Sequence, residues 1–399
     1  MTKPREFPLE TAGFVFIALS LGLVQLSLFL AQSILFSLAA IVWLVITVRE
    51  GGRPQVPAFF LPLMIYAALT LVSAAFSANP MASIVDSRQL LMFLMVPIVA
   101  RFARGSRAST TIDVIIAIGS AGALVGIIQF AVLGYDNLNN RPDGLLSIYM
   151  TYAGVLMLVT CAAVARLVFG RVRTAWPIVA VPALLVALAV TLTRNAWIGT
   201  LLGITVLLAI RNWKFIIIPP VLAALAFAVA PGQIQQRAQS FVNSDDPASR
   251  DRRVMWKIGA DIVRDHPLLG VGPVMIERVY QGYRQKYPEA VNPTNPHLHN
   301  VPIQIAAERG IPALLVWLWF IAVAARDLWR QLRRGQAPAI AGAGLAAIVA
   351  MLAAGMFEYN FGDSEFLMLF LGLITLPFAA ALGAPAERAG TEPSPQGAR

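Results

Sequence analysis

Two of the three histidines of the chain, His297 and His299, lie in one short polar stretch, NPHLHNVPIQIAAERG, which opens an apolar segment. Asn300 is of a residue type that caps helix N-termini, and Pro302 fits the first turn of the helix that follows. An imidazole titrates near neutral pH and can take a proton from a hydroxyl group, which makes His299 a candidate general base. The spacing is equally compatible with a hydrogen-bonded histidine at a helix start that has no catalytic role.

Other polar residues of this stretch share the predicted helix. Gln304 and Glu308 lie on one helix face at an i, i+4 spacing. They could orient the imidazole of His299, although a hydrogen bond between two helices would explain them as well. His297 lies two residues before His299 and is expected to point elsewhere, so an inert role is favoured for it.

Arg194 lies between two apolar stretches in TLTRNAWIGT, with almost no connector around it. A buried arginine in a membrane costs about 2.5–3.5 kcal/mol, so such a residue is expected to have a partner or a function. The alternative is that its side chain extends to the outer interface. Because arginine binds phosphate through two parallel hydrogen bonds, Arg194 is a candidate phosphate ligand.

A second group of arginines opens an amphipathic segment. Arg250, Arg252 and Arg253 precede Trp256, and the i, i+4 spacing would allow Arg252 to stack on the indole ring. The alternative interpretation is a basic cluster that faces solvent or lipid headgroups. Val254, Ile258 and Ile262 follow at helical spacing, which predicts that one face of this segment is buried.

Structural roles are favoured for several remaining polar residues. Arg88 has Asp86 close enough to pair, and Arg141 in NNRPDG could contact a ligand but fits a solvated turn better. Asp245 and Asp246 in NSDDPAS are interpreted as a turn or helix cap rather than a metal site.

The elements that position these residues follow from composition. The 399 residues are 58% hydrophobic and only 13% charged, with a mean hydropathy of +0.69. Soluble chains are usually about 45–50% apolar and about 25% charged, so this excess predicts a polytopic helical membrane protein. The net charge of +10 is spread over connectors between apolar spans, which indicates membrane topology rather than nucleic-acid binding.

About twelve apolar segments approach the roughly 20 residues that cross a membrane. They lie near 11–29, 31–48, 57–77, 82–100, 111–132, 147–168, 175–192, 196–210, 214–230, 302–325, 337–356 and 365–383. Basic residues follow every even-numbered span, which predicts that both termini face the cytoplasm.

The predicted organisation has four parts. Residues 1–230 hold the first nine spans, 231–301 form a large outer loop that contains helices, and 302–383 hold the last three spans. The Pro- and Gly-rich stretch 384–399 is expected to be a disordered cytoplasmic tail.

Three motifs together resemble the O-antigen ligase/polymerase superfamily. HNVPIQIAAERGIPA is similar to its H-[Asn/Ser/Gln]-x9-G element, with His299, Asn300 and Gly310 in register. RRVMWKIGADIVRDHPLLGVG is similar to the R-x3-W…P-L-x-G-x-G stretch, and TRNAWIG to the R-x3-L element, with Ile198 in place of leucine. FEYNFGDSEFLMLF also looks like the family, although less specifically.

The resemblance implies a glycosyltransferase C-type fold in the bacterial inner membrane, with the site facing the periplasm. It implies a transferase for lipopolysaccharide biosynthesis that moves O-antigen from undecaprenyl diphosphate to the lipid A-core, with no cofactor or required metal. Arg194 and Arg252 would bind the diphosphate and His299 would activate the acceptor. The motifs leave open whether Arg250 or Arg252 is the second arginine. They also leave open an O-antigen polymerase, a protein O-oligosaccharyltransferase and, in another class, a membrane transporter.

Overall fold

A computed structural model of the chain describes residues 8–26, 29–170, 176–240, 246–290 and 292–382. The predicted tail at 384–399 and Asp245 lie outside the described residues. Within them, the regular structure consists of sixteen α-helices and short 3-10 segments. The α-helices are α1 Pro8–Leu23, α2 Phe29–Glu50, α3 Phe60–Ala75, α4 Pro80–Asp86, α5 Met95–Phe102, α6 Ser106–Ala131, α7 Tyr149–Phe169, α8 Pro177–Val190, α9 Arg194–Arg211, α10 Ile218–Val229, α11 Gly232–Gln239, α12 Pro247–Asp265, α13 Ile276–Arg284, α14 Val301–Arg333, α15 Pro338–Gly355 and α16 Ser364–Leu382.

Seven segments of the described chain are long and apolar enough to cross a membrane. They are Leu30–Glu50, Pro80–Phe102, Ser106–Ala131, Tyr149–Phe169, Val301–Arg333, Pro338–Gly355 and Ser364–Leu382. Shorter apolar helices lie at Pro8–Leu23, Phe60–Ala75, Pro177–Val190 and Trp213–Val229. The predicted class, an all-α polytopic membrane protein, is confirmed. Twelve spans remain a prediction, because four of the segments are short and α9 carries an arginine at each end.

The helices α11, α12 and α13 lie in the long connector that the hydropathy pattern separates from the spans. As the spacing predicts, Val254, Ile258 and Ile262 are buried along one face of α12. They pack in a small apolar core with Tyr280 of α13 and with Leu298, which lies directly before His299. The connector is therefore an ordered unit that carries the arginines of α12 to the end of the bundle.

A break in α14 at Gly310 joins this connector to the membrane helices. The backbone of Gly310 has φ +83° and ψ +167°, a conformation that is essentially restricted to glycine. The N–H of Val271 donates to the carbonyl of Ala307 at 2.9 Å, alongside the break. A Cβ on Gly310 would lie only 2.0 Å from the carbonyl oxygen of Leu268. Close backbone packing at a glycine therefore holds the connector against α14.

The bundle has two distinguishable ends. The residues of the α15–α16 connector, including Glu358, lie near His299 at one end. At the other end, the carbonyl of Ala379 near the end of α16 accepts a hydrogen bond from the N–H of Gly105. The chain thus crosses from one end to the other within α16, and the two ends carry different polar clusters.

Candidate functional site

A cavity of about 180 Å³ opens where α9 begins, beneath the helices of the long connector. We call it the arginine cavity. Four of its lining residues are arginines and one is a histidine, and they come from five separate segments of the chain. The lining residues are Arg141, Tyr149, Met150, Thr193, Arg194, Asn195, Arg237, Asp251, Arg252, Met255, Asn292, Asn295 and His299.

His299 lies at the wall of the arginine cavity with a left-handed backbone of φ +47°. The next residue, Asn300, caps α14 as predicted: its side chain accepts from the N–H of Ile303 at 2.9 Å. The Asn300 amide also donates to the carbonyl of Met356 at 3.0 Å, which ties the start of α14 to the α15–α16 connector. This strained turn, held at both sides, brings the imidazole to the cavity.

The imidazole of His299 is paired with Glu358, a residue that the motif analysis does not single out. Its Nδ1 lies 2.9 Å from Glu358 Oε1 and 3.0 Å from Oε2. A carboxylate at Nδ1 favours the tautomer whose Nε2 is free to accept a proton. The sequence signal was a single acid in GMFEYNFG, within a connector between two apolar spans.

The surroundings of the Glu358 carboxyl keep it ionised. Burial alone would raise its pKa, but the hydrogen bond with His299 and the charge of Arg252 outweigh burial and hold the pKa below its usual value. The N–H of Tyr359 also donates to Oε1, at 3.1 Å. Glu358 is therefore a fixed negative charge beside the candidate base.

Arg194 is buried at the first residue of α9 and binds the segment that leads into α12. Its Nη1 donates to the carbonyl and the hydroxyl of Ser240, at 2.8 and 3.0 Å. Its Nη2 donates to Asp246 Oδ2 and Ser249 Oγ, at 3.0 and 3.1 Å. The partner that the sequence argument required for a buried arginine is thus the long connector.

Asp246 has a second role that agrees with its predicted interpretation as a helix cap. Its side chain accepts from the N–H of Ser249 at 3.0 Å at the start of α12. Burial would raise the pKa of this carboxyl, but the hydrogen bonds from Ser249 and the charge of Arg194 hold it below its usual value. An ionised carboxylate therefore lies against the Arg194 guanidinium.

Of the two arginines left open on α12, the structure places Arg252 and not Arg250 in the arginine cavity. Arg252 lies 3.9 Å from Glu358 Oε2, and its buried Nε donates to no described residue. Arg250 is exposed on another face of the helix. Of these two arginines, Arg252 is therefore the one that lines the cavity together with Arg194.

Two further arginines line the cavity. Arg141 stacks on the ring of Tyr149, with its guanidinium 4.2 Å from the ring centre. Arg237, which the sequence analysis missed, donates from Nε to the carbonyl of Leu192 at 3.0 Å. Burial, reinforced by the neighbouring charges of Arg194 and Arg141, lowers the pKa of Arg237 to about 10. A bound anion would relieve this crowding of like charges.

Other residues singled out from the sequence lie away from the arginine cavity. Arg88 is exposed, and the ion pair expected with Asp86 is not formed, because residues two apart on a helical turn face different directions. Trp256 packs on the ring of Phe357 at 6.0 Å rather than under Arg252. His297 packs against the ring of Tyr359 at 5.6 Å and does not line the cavity.

Gln304 and Glu308 do not contact the imidazole of His299. Gln304 accepts from the N–H of Leu298 at 2.7 Å and so supports the loop. Glu308 forms a buried ion pair with Arg309 at 2.5 Å and accepts from the N–H of Val274 at 3.0 Å. Both residues hold the backbone around the site, whereas Glu358 holds the ring.

Chemically, the site combines a cluster of fixed cations with one imidazole backed by a carboxylate. Such cations suit an anionic ligand with several oxygens, and the imidazole can accept a proton. Among the described residues, no group of three or more His, Cys, Asp or Glu side chains is arranged to hold a metal ion.

Comparison with known proteins agrees with the motifs. Residues 178–318 match the family model described as O-Antigen ligase. This region runs from α8 into the first half of α14, so it includes Arg194, Arg252 and His299 and leaves Arg141 and Glu358 outside. A comparison with curated proteins gave no match. Residues 178–318 therefore carry an O-antigen ligase domain.

Proposed function

We propose that the chain is an O-antigen ligase that transfers a glycan from undecaprenyl diphosphate to the lipid A-core. The family match at residues 178–318 supports an enzyme of the glycosyl-transfer type that acts on polysaccharide or lipid-linked substrates. The observation that carries the finer proposal is the union of arginines and a carboxylate-backed imidazole in one cavity. A diphosphate donor needs the arginines to bind its charge, and a hydroxyl acceptor needs the imidazole to take its proton.

In the proposed reaction, Arg194 and Arg252 bind the donor diphosphate, with Arg141 and Arg237 adding positive charge. The Asp246 carboxylate lies on an edge of the Arg194 guanidinium that a phosphate oxygen could take, at 3.0 Å. Donor binding would then exchange one anion for another at Arg194. Neutralising the diphosphate makes it a good leaving group, so nucleotide energy is not needed.

His299 acts at the other reactant. Its Nε2 accepts the proton of the acceptor hydroxyl while that oxygen bonds to the anomeric carbon of the donor glycan. The bond from that carbon to the phosphate oxygen breaks, and undecaprenyl diphosphate leaves as the anion. A single displacement of this kind inverts the anomeric centre. Glu358 stabilises the imidazolium that forms.

The acceptor decides between the ligase and the nearest alternative, an O-antigen polymerase. The test is a strain that lacks the gene, analysed for lipid-linked glycan and for lipopolysaccharide. Loss of a ligase leaves full-length lipid-linked polymer and a bare core, and restoration by the wild-type gene but not by His299→Ala supports the proposal. Loss of a polymerase instead leaves core that carries single repeat units, and that result would reject the ligase assignment.

The proposed location is the inner membrane, with the arginine cavity in the periplasm and both termini in the cytoplasm. Basic residues at the opposite end of the bundle from this cavity, such as Arg101, Arg104 and Arg330, support it. Reporter fusions after Gly105 and after Ser240 should report the cytoplasm and the periplasm, respectively. A cytoplasmic signal from the fusion at Ser240 would contradict the mechanism.

A further inference from the structure

A second cavity, also of about 180 Å³, lies at the opposite end of the bundle from the arginine cavity. It is formed where α2 ends, where the connector to α3 begins and where α5 ends. Its lining residues are Trp43, Thr47, Glu50, Gly52, Arg53, Pro54, Gln55, Pro97, Arg101 and Arg104. Neither the motifs nor the proposed reaction assigns any role to these residues.

Among the described residues, one of the three arginines of the second cavity forms direct ion pairs with carboxylates. Arg101 donates to Glu10 from Nε at 2.9 Å and to Glu50 from Nη1 and Nη2, at 2.8 and 2.6 Å. These two acids therefore hold the end of α5 against the start of α1 and the end of α2. Arg101 is a structural cation, and its donors are already used.

Among the described residues, the other two cations form no ion pair with a carboxylate. Arg104 contacts only neutral oxygens among the described residues: the carbonyl of Ala100 at 3.4 Å and Gln55 Oε1 at 3.3 Å. Burial, together with the charge of Arg101, lowers the pKa of Arg104. Arg53 is exposed at the rim and forms no ion pair with a described residue. The cavity thus contains an excess of unmatched positive charge.

The surface beside this cavity is suited to acyl chains. Trp43 lines the cavity and is an aromatic residue of the kind that prefers the membrane–water interface. Leu44 and Val48, next to the lining residues on α2, are 56% and 71% exposed. An apolar ridge on the membrane side and unmatched guanidinium groups on the water side together match the two parts of a lipid.

We propose that the second cavity binds the phosphate of an anionic phospholipid headgroup, with Arg53 and Arg104 as its ligands. Arginine pairs with phosphate oxygens through two parallel hydrogen bonds, and basic pockets between membrane helices bind acidic headgroups. The acyl chains lie along the exposed apolar face of α2. This site is independent of glycosyl transfer, because it lies at the other end of the bundle.

The test measures binding of phosphatidylglycerol and of phosphatidylcholine to the purified chain by native mass spectrometry. The double variant Arg53→Gln/Arg104→Gln removes the unmatched cations and keeps the Arg101 ion pairs. The control is Arg330→Gln/Arg334→Gln, which removes two exposed cations at the same end of the bundle but outside the cavity. Thermal unfolding without lipid checks that both variants stay folded.

We expect the wild-type chain and the control to bind phosphatidylglycerol more tightly than phosphatidylcholine. Arg53→Gln/Arg104→Gln, the cavity variant, should bind phosphatidylglycerol about tenfold more weakly than the wild type. Equal losses in the two double variants would overturn the proposal, because they would indicate diffuse attraction to a basic surface. An unchanged cavity variant would overturn it as well. A parallel titration with inorganic phosphate distinguishes a lipid headgroup from a soluble phosphate as the ligand. If phosphate alone protects the wild type from unfolding, and this protection is lost in the cavity variant, the site binds a soluble phosphate and the lipid proposal is overturned.

Discussion

Replacing Glu358 with glutamine isolates the contribution of the carboxylate that backs the candidate base. The change keeps the size of the side chain and removes its charge, 2.9 Å from His299 Nδ1. At about 4 Å between charge centres and an effective dielectric near 20, a carboxylate stabilises an imidazolium by about 4 kcal/mol. The side chains of His299 and Glu358 are 20% and 13% exposed, so solvent screens their interaction. We therefore reduce the expected stabilisation of the imidazolium to roughly 2–3 kcal/mol. We therefore expect kcat to fall about 30- to 200-fold.

The assay for Glu358→Gln is transfer of lipid-linked glycan by the purified chain, with kcat and the donor KM measured separately. The donor KM should stay the same or fall, because Arg252 loses a competing anion 3.9 Å away. The matched control is Glu365→Gln, an acid near the start of α16 that forms no ion pair with a described residue and should keep its rate. An unchanged kcat, or a loss confined to KM, would refute the role given to Glu358.

The same variant also has a stability signature. The pKa of Glu358 in the folded chain lies below its ordinary value of 4.5, so the carboxylate contributes stability above that pH. That contribution is lost as the pH falls through the folded-state pKa. The thermal unfolding temperature of the wild type should therefore fall more steeply below about pH 4.5 than that of Glu358→Gln. Parallel declines in the two proteins would argue against an ionised pair in the folded chain.

Two further predictions concern the arginines and the break in α14. Arg252→Gln should raise the donor KM at least tenfold, since a charge-assisted contact contributes about 1.5–3 kcal/mol. The control Arg250→Gln should bind the donor normally, and equal effects of the two variants would reject the choice of Arg252. Gly310→Ala should lower the free energy of unfolding by about 3 kcal/mol or more, because its backbone conformation is restricted to glycine and its Cβ meets the Leu268 carbonyl. Gly282→Ala, with open space around it, should be close to neutral, and a stable Gly310→Ala would show that the connector does not dock at the break.

Local patterns predict much of this architecture because the forces behind them act between near neighbours. The apolar positions Val254, Ile258 and Ile262 predict the buried face of α12, and that face is buried. Asn300 predicts a helix cap, and its side chain forms one. Asp246 also caps a helix, as its setting before a proline indicates.

The pairing of His299 with Glu358 could not be predicted in the same way. The two residues are 59 positions apart, and the contact depends on how α14 and α15 pack. Gln304 and Glu308 were the candidates from spacing to orient the imidazole, but Glu308 pairs with Arg309 and Gln304 accepts from the N–H of Leu298. Tertiary packing decides which of several nearby acids meets an imidazole.

Arg237 shows a second limit of local reasoning. It lies in a polar connector where a solvated arginine is the ordinary expectation, and nothing in its neighbours indicates burial. The structure buries it because α11 packs below Leu192, whose carbonyl accepts from its Nε. The choice between Arg250 and Arg252 was open for a related reason, since the side of α12 that faces the cavity depends on how the connector packs on the membrane helices.

The central claim is that His299 is the general base in a cavity whose arginines bind the donor diphosphate. The most direct measurement is glycan transfer by purified wild type, His299→Ala and His297→Ala, from a lipid diphosphate donor to lipid A-core, in the presence of EDTA. Loss of general-base catalysis should slow His299→Ala by about 10²- to 10⁴-fold while donor binding is kept, and His297→Ala should stay close to wild type. Normal turnover by His299→Ala, or a wild-type enzyme that EDTA inactivates, would contradict the account.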